Sequence, residues 1–411
     1  MAVPDDVPSP DYDLGNDIGN MEGIRSGITR IGDTEHIEYT GEFWTSKQRQ
    51  GSSIHEISYR ACFKPQLPGF FIKRFSSHGD VVLDPFSGRG TTVIEAGLLG
   101  RKIISNDINP LNDILTRPRL EIPDIEIIEK ALNDIDLDDP PDMDPDLSMF
   151  FHPDTLSQIL ALREYLRERK EDGVENGADR WIRMAATNRL TGHSRGFFSA
   201  YTLPPNQAAS RKSQLKINKR REQEPPYRDV KELILKKSRS LQRNITSGQR
   251  KRLRECSTSA LFMRKDASDM TRIPDETVAL TVTSPPFLDI VQYRSDNWLR
   301  FWFNTIDEGN AGRLITVERS IENWGSKMRS VLSELFRITR IGGHVAFEVG
   351  EVRKGRLRLE DIIVPAGLDA GFECIGIIIN AQRFTKTSNI WGIDNNEKGT
   401  NTNRIAVLGK I

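Results

Sequence analysis

The sequence predicts an α/β fold: one sheet of about seven strands covered by helices and interrupted by a large, mostly helical insertion. Three observations carry that prediction. Short apolar runs alternate with helix-length periodic segments over 80–107 and again over 260–408. A glycine-bearing turn, Asp84 to Thr92, joins the first strand of the series to a helix. Between the two alternating stretches, residues 119–257 are helical and strongly charged, without strand signals.

Residues 1–35, rich in Asp, Pro, Gly and Asn, are expected to form a mobile acidic tail, a partner-binding arm being the alternative. The α/β domain is expected over 36–118 and 258–411. Asp80 to Asp84 is a short apolar run entering the turn PFSGRG. Thr91 to Leu99 follows as a helix, apolar at Val93, Ile94, Ala96 and Leu98 and stopped by Gly100. Lys102 to Ser105 is a second strand, closed by Asn106 and Asp107, which completes one βαβ unit. The alternation resumes with Leu261–Met263 and Val278–Val282. A helix over Asn323–Ile338, the strand His344–Val349 and a helix over Leu359–Ala370 come next. The strands Cys374–Asn380 and Arg404–Leu408 close the chain.

In the insertion, residues 134–146 hold seven aspartates among prolines. An EF-hand would need Gly at loop position six and Glu at position twelve, and neither falls in place, so this is read as an acidic linker. Thr155 to Lys170 is expected as a helix opened by a Thr155/Gln158 capping box, with another helix around Trp181–Leu190. Residues 211–254 carry sixteen Lys and Arg against four acids. Solvated helix faces would explain such a run; a phosphate-contacting surface is the sharper expectation.

Lys plus Arg and Asp plus Glu both total 58, so the formal net charge is zero and only the segregation of charge along the chain is informative. Hydrophobic content of 37% with 28% charged residues excludes a disordered chain. No run approaches the roughly 18 apolar residues of a membrane span, and the start MAVPDDVPSPDYD lacks signal-peptide character. A cytoplasmic location without membrane contact is therefore expected. Cys62, Cys256 and Cys374 lack metal or redox spacing, and His36, His55, His78, His152, His193 and His344 are scattered, so no metal site is expected. Trp298, Phe301, Trp302 and Phe303 are read as core packing, and Glu348 and Glu351 are given no role.

Two constellations carry chemistry. In Asp84-Pro85-Phe86-Ser87-Gly88-Arg89-Gly90-Thr91-Thr92, Gly88 and Gly90 let backbone approach a ligand, and the following helix offers free N–H groups. Asp107, 19 residues after Gly88, ends a strand where a carboxylate can accept from both ribose hydroxyls, and Asp266 ends the presumed third strand where one could meet an adenine amino group. The missing third glycine of G-x-G-x-x-G speaks against a dinucleotide. The second constellation is Thr283-Ser284-Pro285-Pro286-Phe287. Two prolines fix the backbone so that carbonyls and the Ser284 hydroxyl can accept from an NH2 group, and Phe287 offers a face for stacking a planar base.

With these residues assembled, the chain resembles the amino-methylating DNA methyltransferases, which make N4-methylcytosine and N6-methyladenine. DPFSGRGTT resembles the family's cofactor motif and SPPF its catalytic motif, (S/N/D)-P-P-(Y/F). Phe63-Lys64-Pro65-Gln66-Leu67-Pro68 followed by Phe70-Phe71-Ile72 is similar to the family's KPxxL helix just before the first strand. The closing segment, Asn395-Asn396 through Asn403-Arg404-Ile405-Ala406-Val407-Leu408, is similar to its last strand. The resemblance covers 55–118 and 258–411. It implies a Rossmann-like, S-adenosylmethionine-dependent methyltransferase sheet. The cofactor would be held by Lys64, Pro65, Asp84, Phe86, Gly88, Gly90, Thr91, Thr92, Asp107, Asp266 and Thr283, and catalysis carried by Ser284, Pro285, Pro286 and Phe287. Ser in the first catalytic position resembles the cytosine-N4 branch. Double-stranded DNA is then the implied partner, with 119–257 as the target-recognition region and a cognate restriction endonuclease a further partner. Adenine N6, RNA and a non-catalytic nucleic-acid-binding protein are the competing readings.

Overall fold

The computed structural model describes residues 17–18, 21–44, 51–60, 62–140, 146–286, 293–307, 309, 320–349, 351–352, 357–381 and 402–411. Nine strands among them build one sheet: β1 (Arg25–Ile31), β2 (Thr34–Gly41), β3 (Val81–Asp84), β4 (Lys102–Asn106), β5 (Leu261–Met263), β6 (Val278–Thr283), β7 (Thr339–Val349), β10 (Glu373–Ala381) and β11 (Thr402–Lys410). The two-residue strands β8 (Glu351–Val352) and β9 (Leu357–Arg358) pair apart from it. The order is β1-β2-β10-β11-β7-β6-β3-β4-β5. Seven of these, β10-β11-β7-β6-β3-β4-β5, are the expected sheet. They are parallel except β11, which runs antiparallel to both neighbours.

Two more strands than expected come from the β1–β2 hairpin, which joins the sheet through β2 alongside β10. The hairpin begins at Arg25, inside the stretch expected to be a mobile tail. Further upstream, Ile18 is fully buried and Asp17 meets Arg74 Nε at 2.6 Å. β1 is an edge strand with most side chains exposed, so it has no apolar alternation to betray it.

Strand order, not strand count, positions the site. From β3 the chain moves to β4 on one side, and β6 returns to pair with β3 on the other. The order therefore reverses between β3 and β6. In open α/β sheets ligands bind outside the carboxyl ends of the strands at such a reversal. Here those ends are Asp84 and Thr283.

Alternation along the central strands feeds two cores. Val82, Ile103, Leu280 and Val282 face one, with α1 (Gln66–Phe75) and α2 (Thr91–Leu98). Leu83, Ile104, Val278, Val345 and Phe347 face the other, with two later helices, Ile321–Ile338 and Glu360–Ala370. The short α3 (Leu111–Thr116) leads into the insertion, whose helices are α4 (Ile125–Asp134), α5 (Pro153–Glu171), α6 (Gly177–Thr187), α7 (Arg211–Arg221), α8 (Val230–Gln242) and α9 (Ser247–Ser259). Its apolar residues Leu132, Ile159, Trp181, Ile234 and Leu253 join the first core, so the insertion does not fold apart from the sheet. Then come α10 (Tyr293–Phe303), α11 (Ile321–Ile338) and α12 (Glu360–Ala370).

One local expectation is corrected. α5 starts at Pro153 with the His152 ring accepting from Asp154 N, so Thr155/Gln158 is not a capping box. Instead Thr155 Oγ1 and Gln158 Oε1 accept from Arg228 N (2.7 Å) and Val230 N (3.0 Å), tying down the start of α8. No helix among the described residues is long and apolar enough to cross a membrane.

Candidate active site

β3 ends at Asp84, and the turn that follows must reverse within six residues into α2. Gly90 makes this possible. It adopts φ +76°, and a Cβ there would lie 2.3–2.9 Å from Thr116 side-chain atoms. Gly88 is also left-handed at φ +53°, and its N–H donates to Asp107 Oδ2 at 2.7 Å, while Asn109 N reaches Asp107 Oδ1 at 2.8 Å. Asp107 thus follows the last residue of β4 and pins the glycine turn from the neighbouring strand. Burial pushes its carboxyl up to about 6. Asp84 is fully buried and pushed up to about 7 by burial, against hydrogen bonds from Thr283, Phe86 and Thr92.

A cleft enclosing about 1170 Å³, open mouth included, runs over this turn. Of the expected residues, Asp84, Phe86, Gly88, Thr91, Asp107, Asp266, Ser284 and Pro286 line it. Lys64, Pro65, Gly90, Thr92, Thr283 and Pro285 do not. Lys64 and Pro65 only lead into α1, behind Phe63, which does line the cleft. Thr92 Oγ1 donates to Val282 O at 3.0 Å, and Thr283 Oγ1 to Asp84 Oδ1 at 2.7 Å, so both clamp β3 to β6 from beneath. Phe287 lies outside the described residues. Asp266 follows β5 by three residues instead of ending it. Burial raises its carboxyl, but hydrogen bonds from Lys327 and Ser268 outweigh that and hold it below the usual carboxylate range.

The far wall is a strap, residues 53–60, suspended by its carbonyls from cations. Arg119 donates to Ile54 O (3.2 Å), Lys237 to Glu56 O (2.5 Å), Arg89 to Ile57 O (2.5 Å) and Arg300 to Ser58 O (2.9 Å). Tyr59 on this strap accepts from Asn109 Nδ2 at 3.0 Å and lines the cleft. A buried cation normally needs a carboxylate; here carbonyl dipoles substitute, and burial still lowers Arg119 to about 9 and Lys237 to about 7.

The catalytic-type loop leaves β6 at the same end of the sheet. The Ser284 hydroxyl hydrogen-bonds to the buried Glu348 carboxylate near the end of β7, and Asn403 Nδ2 of β11 donates to Glu348 Oε1 at 2.5 Å. Trp324 Nε1 of α11 donates to Pro286 O at 2.9 Å, and Trp324 also lines the cleft. The serine and one proline carbonyl are therefore held by groups from three different elements.

Residues 23–112 match the model of the N6/N4 methyltransferase family, described as DNA methylase. Over that segment the chain is similar to the amino-methylating DNA methyltransferases. It is 35% identical over 91 residues to the type II methyltransferase M.MjaII of Methanocaldococcus jannaschii, covering 22% of this chain and 17% of that one. It is 24% identical over 311 residues to the type II methyltransferase M.BsoBI of Geobacillus stearothermophilus, covering 67% of this chain and 57% of that one. The matches thus span less than two thirds of either relative. Among solved structures, a protein of Thermus thermophilus described as a DNA modification methylase aligns at TM-score 0.22 and 23% identity, covering 35% of this chain and 50% of that one. The rRNA methyltransferase aviRa of Streptomyces viridochromogenes aligns at 0.32 and 12%, covering 88% and 90%. Strand order, rather than these superpositions, carries the fold assignment.

Sequence reasoning passed over Tyr59, Trp324 and Glu348. Only Glu348 had left a signal, a carboxylate between Phe347 and Val349 at the carboxyl end of an otherwise apolar strand. The histidines fall elsewhere. His55 pairs with Glu95 at 2.9 Å and His344 packs on Phe75, and no metal-ligating cluster occurs among the described residues.

Proposed function

We propose that the chain is an S-adenosylmethionine-dependent methyltransferase acting on the exocyclic amino group of a DNA base, cytosine N4 being the favoured target. One observation supports this above the others: the glycine turn after β3 and the Ser284-Pro285-Pro286 loop after β6 open into a single cleft across the sheet's reversal point. The residues fit the cofactor. Asp107 offers lone pairs to ribose hydroxyls, the left-handed Gly88 leaves space against the backbone, and Asp266 with Lys327 borders the end suited to a purine. Bound there, S-adenosylmethionine would supply an electrophilic methyl group.

The chain's own residues then act on the base. Ser284 donates its hydroxyl hydrogen bond to Glu348, so its oxygen lone pairs are left to face the substrate and can accept an amino hydrogen. Pro286 O is committed to Trp324, which leaves Pro285 O as the proposed second acceptor. Two acceptors on one NH2 group draw nitrogen lone-pair density out of the ring and fix its direction, so positioning supplies most of the rate. The base must leave the duplex to reach them, at about a few kcal/mol. Serine at position 284 supports the cytosine branch by resemblance.

The test is transfer of tritium from labelled S-adenosylmethionine to unmethylated duplex DNA and, in parallel, to structured RNA. Label in DNA is expected; label confined to RNA overturns the substrate assignment. A pH dependence follows as well. Asp84, near 7, and Asp107, near 6, hold protons in the free protein that a nearby sulfonium would expel. Cofactor affinity should rise with pH up to about 7 and level off above it. Calorimetry in buffers of different ionisation enthalpy should report proton release at pH 6.5, which Asp84→Asn should diminish. Uptake of protons, or none, contradicts the assignment.

A further inference from the structure

The basic stretch 211–254 divides sharply once its side chains are placed. From Arg228 to Arg254, seven of ten cations are occupied within the protein. Lys231, Lys237, Arg250 and Arg252 donate to Ile135 O, Glu56 O, Ile122 O and Leu98 O. Arg239, Arg243 and Lys251 pair with Glu129, Glu56 and Glu255. The four carbonyl contacts tie α8 and α9 to the rest of the chain.

α7 is different. Its sequence, RKSQLKINKRR, contains no acid. Its inner face is fixed: Gln214 Nε2 donates to Tyr201 O (3.0 Å), Asn218 Nδ2 to Met149 O (2.7 Å), and Arg211 and Arg221 lie over the rings of Trp298 and Tyr201. Its outer stripe, Lys212, Lys216, Lys219 and Arg220, falls at i, i+4, i+7 and i+8 and is exposed throughout. None of the ion pairs among the described residues involves these four. The helix is anchored on α10: Trp298 Nε1 donates to Ala209 O at 3.1 Å and Ala208 N to Asp296 O at 2.9 Å, just before α7 begins. In turn α10 reaches the strap at the cleft through Arg300, which donates to Ser58 O at 2.9 Å. α10 is the first helix described after the Ser284 loop.

We propose that this outer stripe of α7 is the docking surface for the phosphate backbone of duplex DNA, holding it so that a flipped base can reach the cleft; this rests on the reading of the chain as a DNA methyltransferase. Four cations held on one rigid face across about 12 Å match a polyanion that carries one charge per about 1.7 Å of axis. They have no internal use that would compete. Contacts of this kind set register and affinity but carry no sequence information, so base discrimination must come from other residues.

The test is a salt titration of fluorescein-labelled duplex binding, by anisotropy, with the full chain. K212Q/K216Q/K219Q/R220Q should weaken binding by about 100-fold or more at 0.1 M salt. Its slope of log K against log salt should be shallower by about 3 to 4, near 0.9 per lost phosphate contact. Affinity for S-adenosylmethionine and kcat at saturating duplex should stay within about twofold of wild type. The pair K212Q/K216Q, a milder change should the quadruple variant misfold, should lose about half of that slope. The control K236Q/K251Q/R254Q should change the slope by less than about one. An unchanged slope in the α7 variants, an equal loss in the control, or tighter binding of structured RNA than of duplex through the same four residues would overturn the proposal. If wild type binds duplex steeply with salt yet transfers no methyl group, the activity fails and the surface stands. If it methylates DNA and the α7 variants bind normally, the surface alone fails.

Discussion

Ser284→Ala and Glu348→Gln are each expected to lower kcat on duplex DNA by about 100- to 1,000-fold, with affinity for S-adenosylmethionine within about twofold of wild type. In the proposed role the serine oxygen accepts from the base only if its hydrogen points away from the substrate, and the Glu348 carboxylate accepts that hydrogen bond. A glutamine there offers an NH2 group that can donate to the serine instead, reversing the hydrogen bond while keeping size and packing. Because both residues serve one interaction, the double variant should be about as slow as the worse single one. Losses that multiply in the double variant would separate their roles. A parallel fall in cofactor affinity would mean that the changes disturb the cleft as a whole.

Asp107→Ala is expected to raise the dissociation constant for S-adenosylmethionine by about 100-fold or more, the loss of two hydrogen bonds to a charged group at about 1.5 kcal/mol each or more. The same change frees the Gly88 N–H that Asp107 now holds at 2.7 Å, so the turn loses its anchor to the neighbouring strand. Isothermal calorimetry reads the affinity, and a thermal melt separates it from global unfolding. Binding within about threefold of wild type would remove Asp107 from the cofactor site.

Much of this was legible in the sequence because sheet strands and glycine turns are local signals. Asp84–Thr92 announced a strand, a tight turn and a helix, and the apolar runs at 261–263, 278–283 and 344–349 announced strands around it. What stayed hidden depends on contacts across tens of residues. Nothing in the sequence says that Trp324 reaches back to Pro286, or that Asn403 holds the carboxylate that meets Ser284. The β1–β2 hairpin was hidden for another reason: an edge strand exposed along most of its length has no core to encode. The basic stretch was visible as charge, but burial alone separates Lys237, whose ammonium holds Glu56 O, from Lys216, which faces outward.

Everything proposed for the Ser284 loop turns on one step, methyl transfer to the amino nitrogen of a DNA base. The most direct measurement is to label unmethylated genomic DNA with tritiated S-adenosylmethionine and the purified protein, digest it to nucleosides and chromatograph them. Radioactivity is expected in N4-methylcytosine; N6-methyladenine would keep the amino-methylating chemistry and reassign the base. Radioactivity in 5-methylcytosine, or DNA left unlabelled by protein that demonstrably binds the cofactor, would contradict that step.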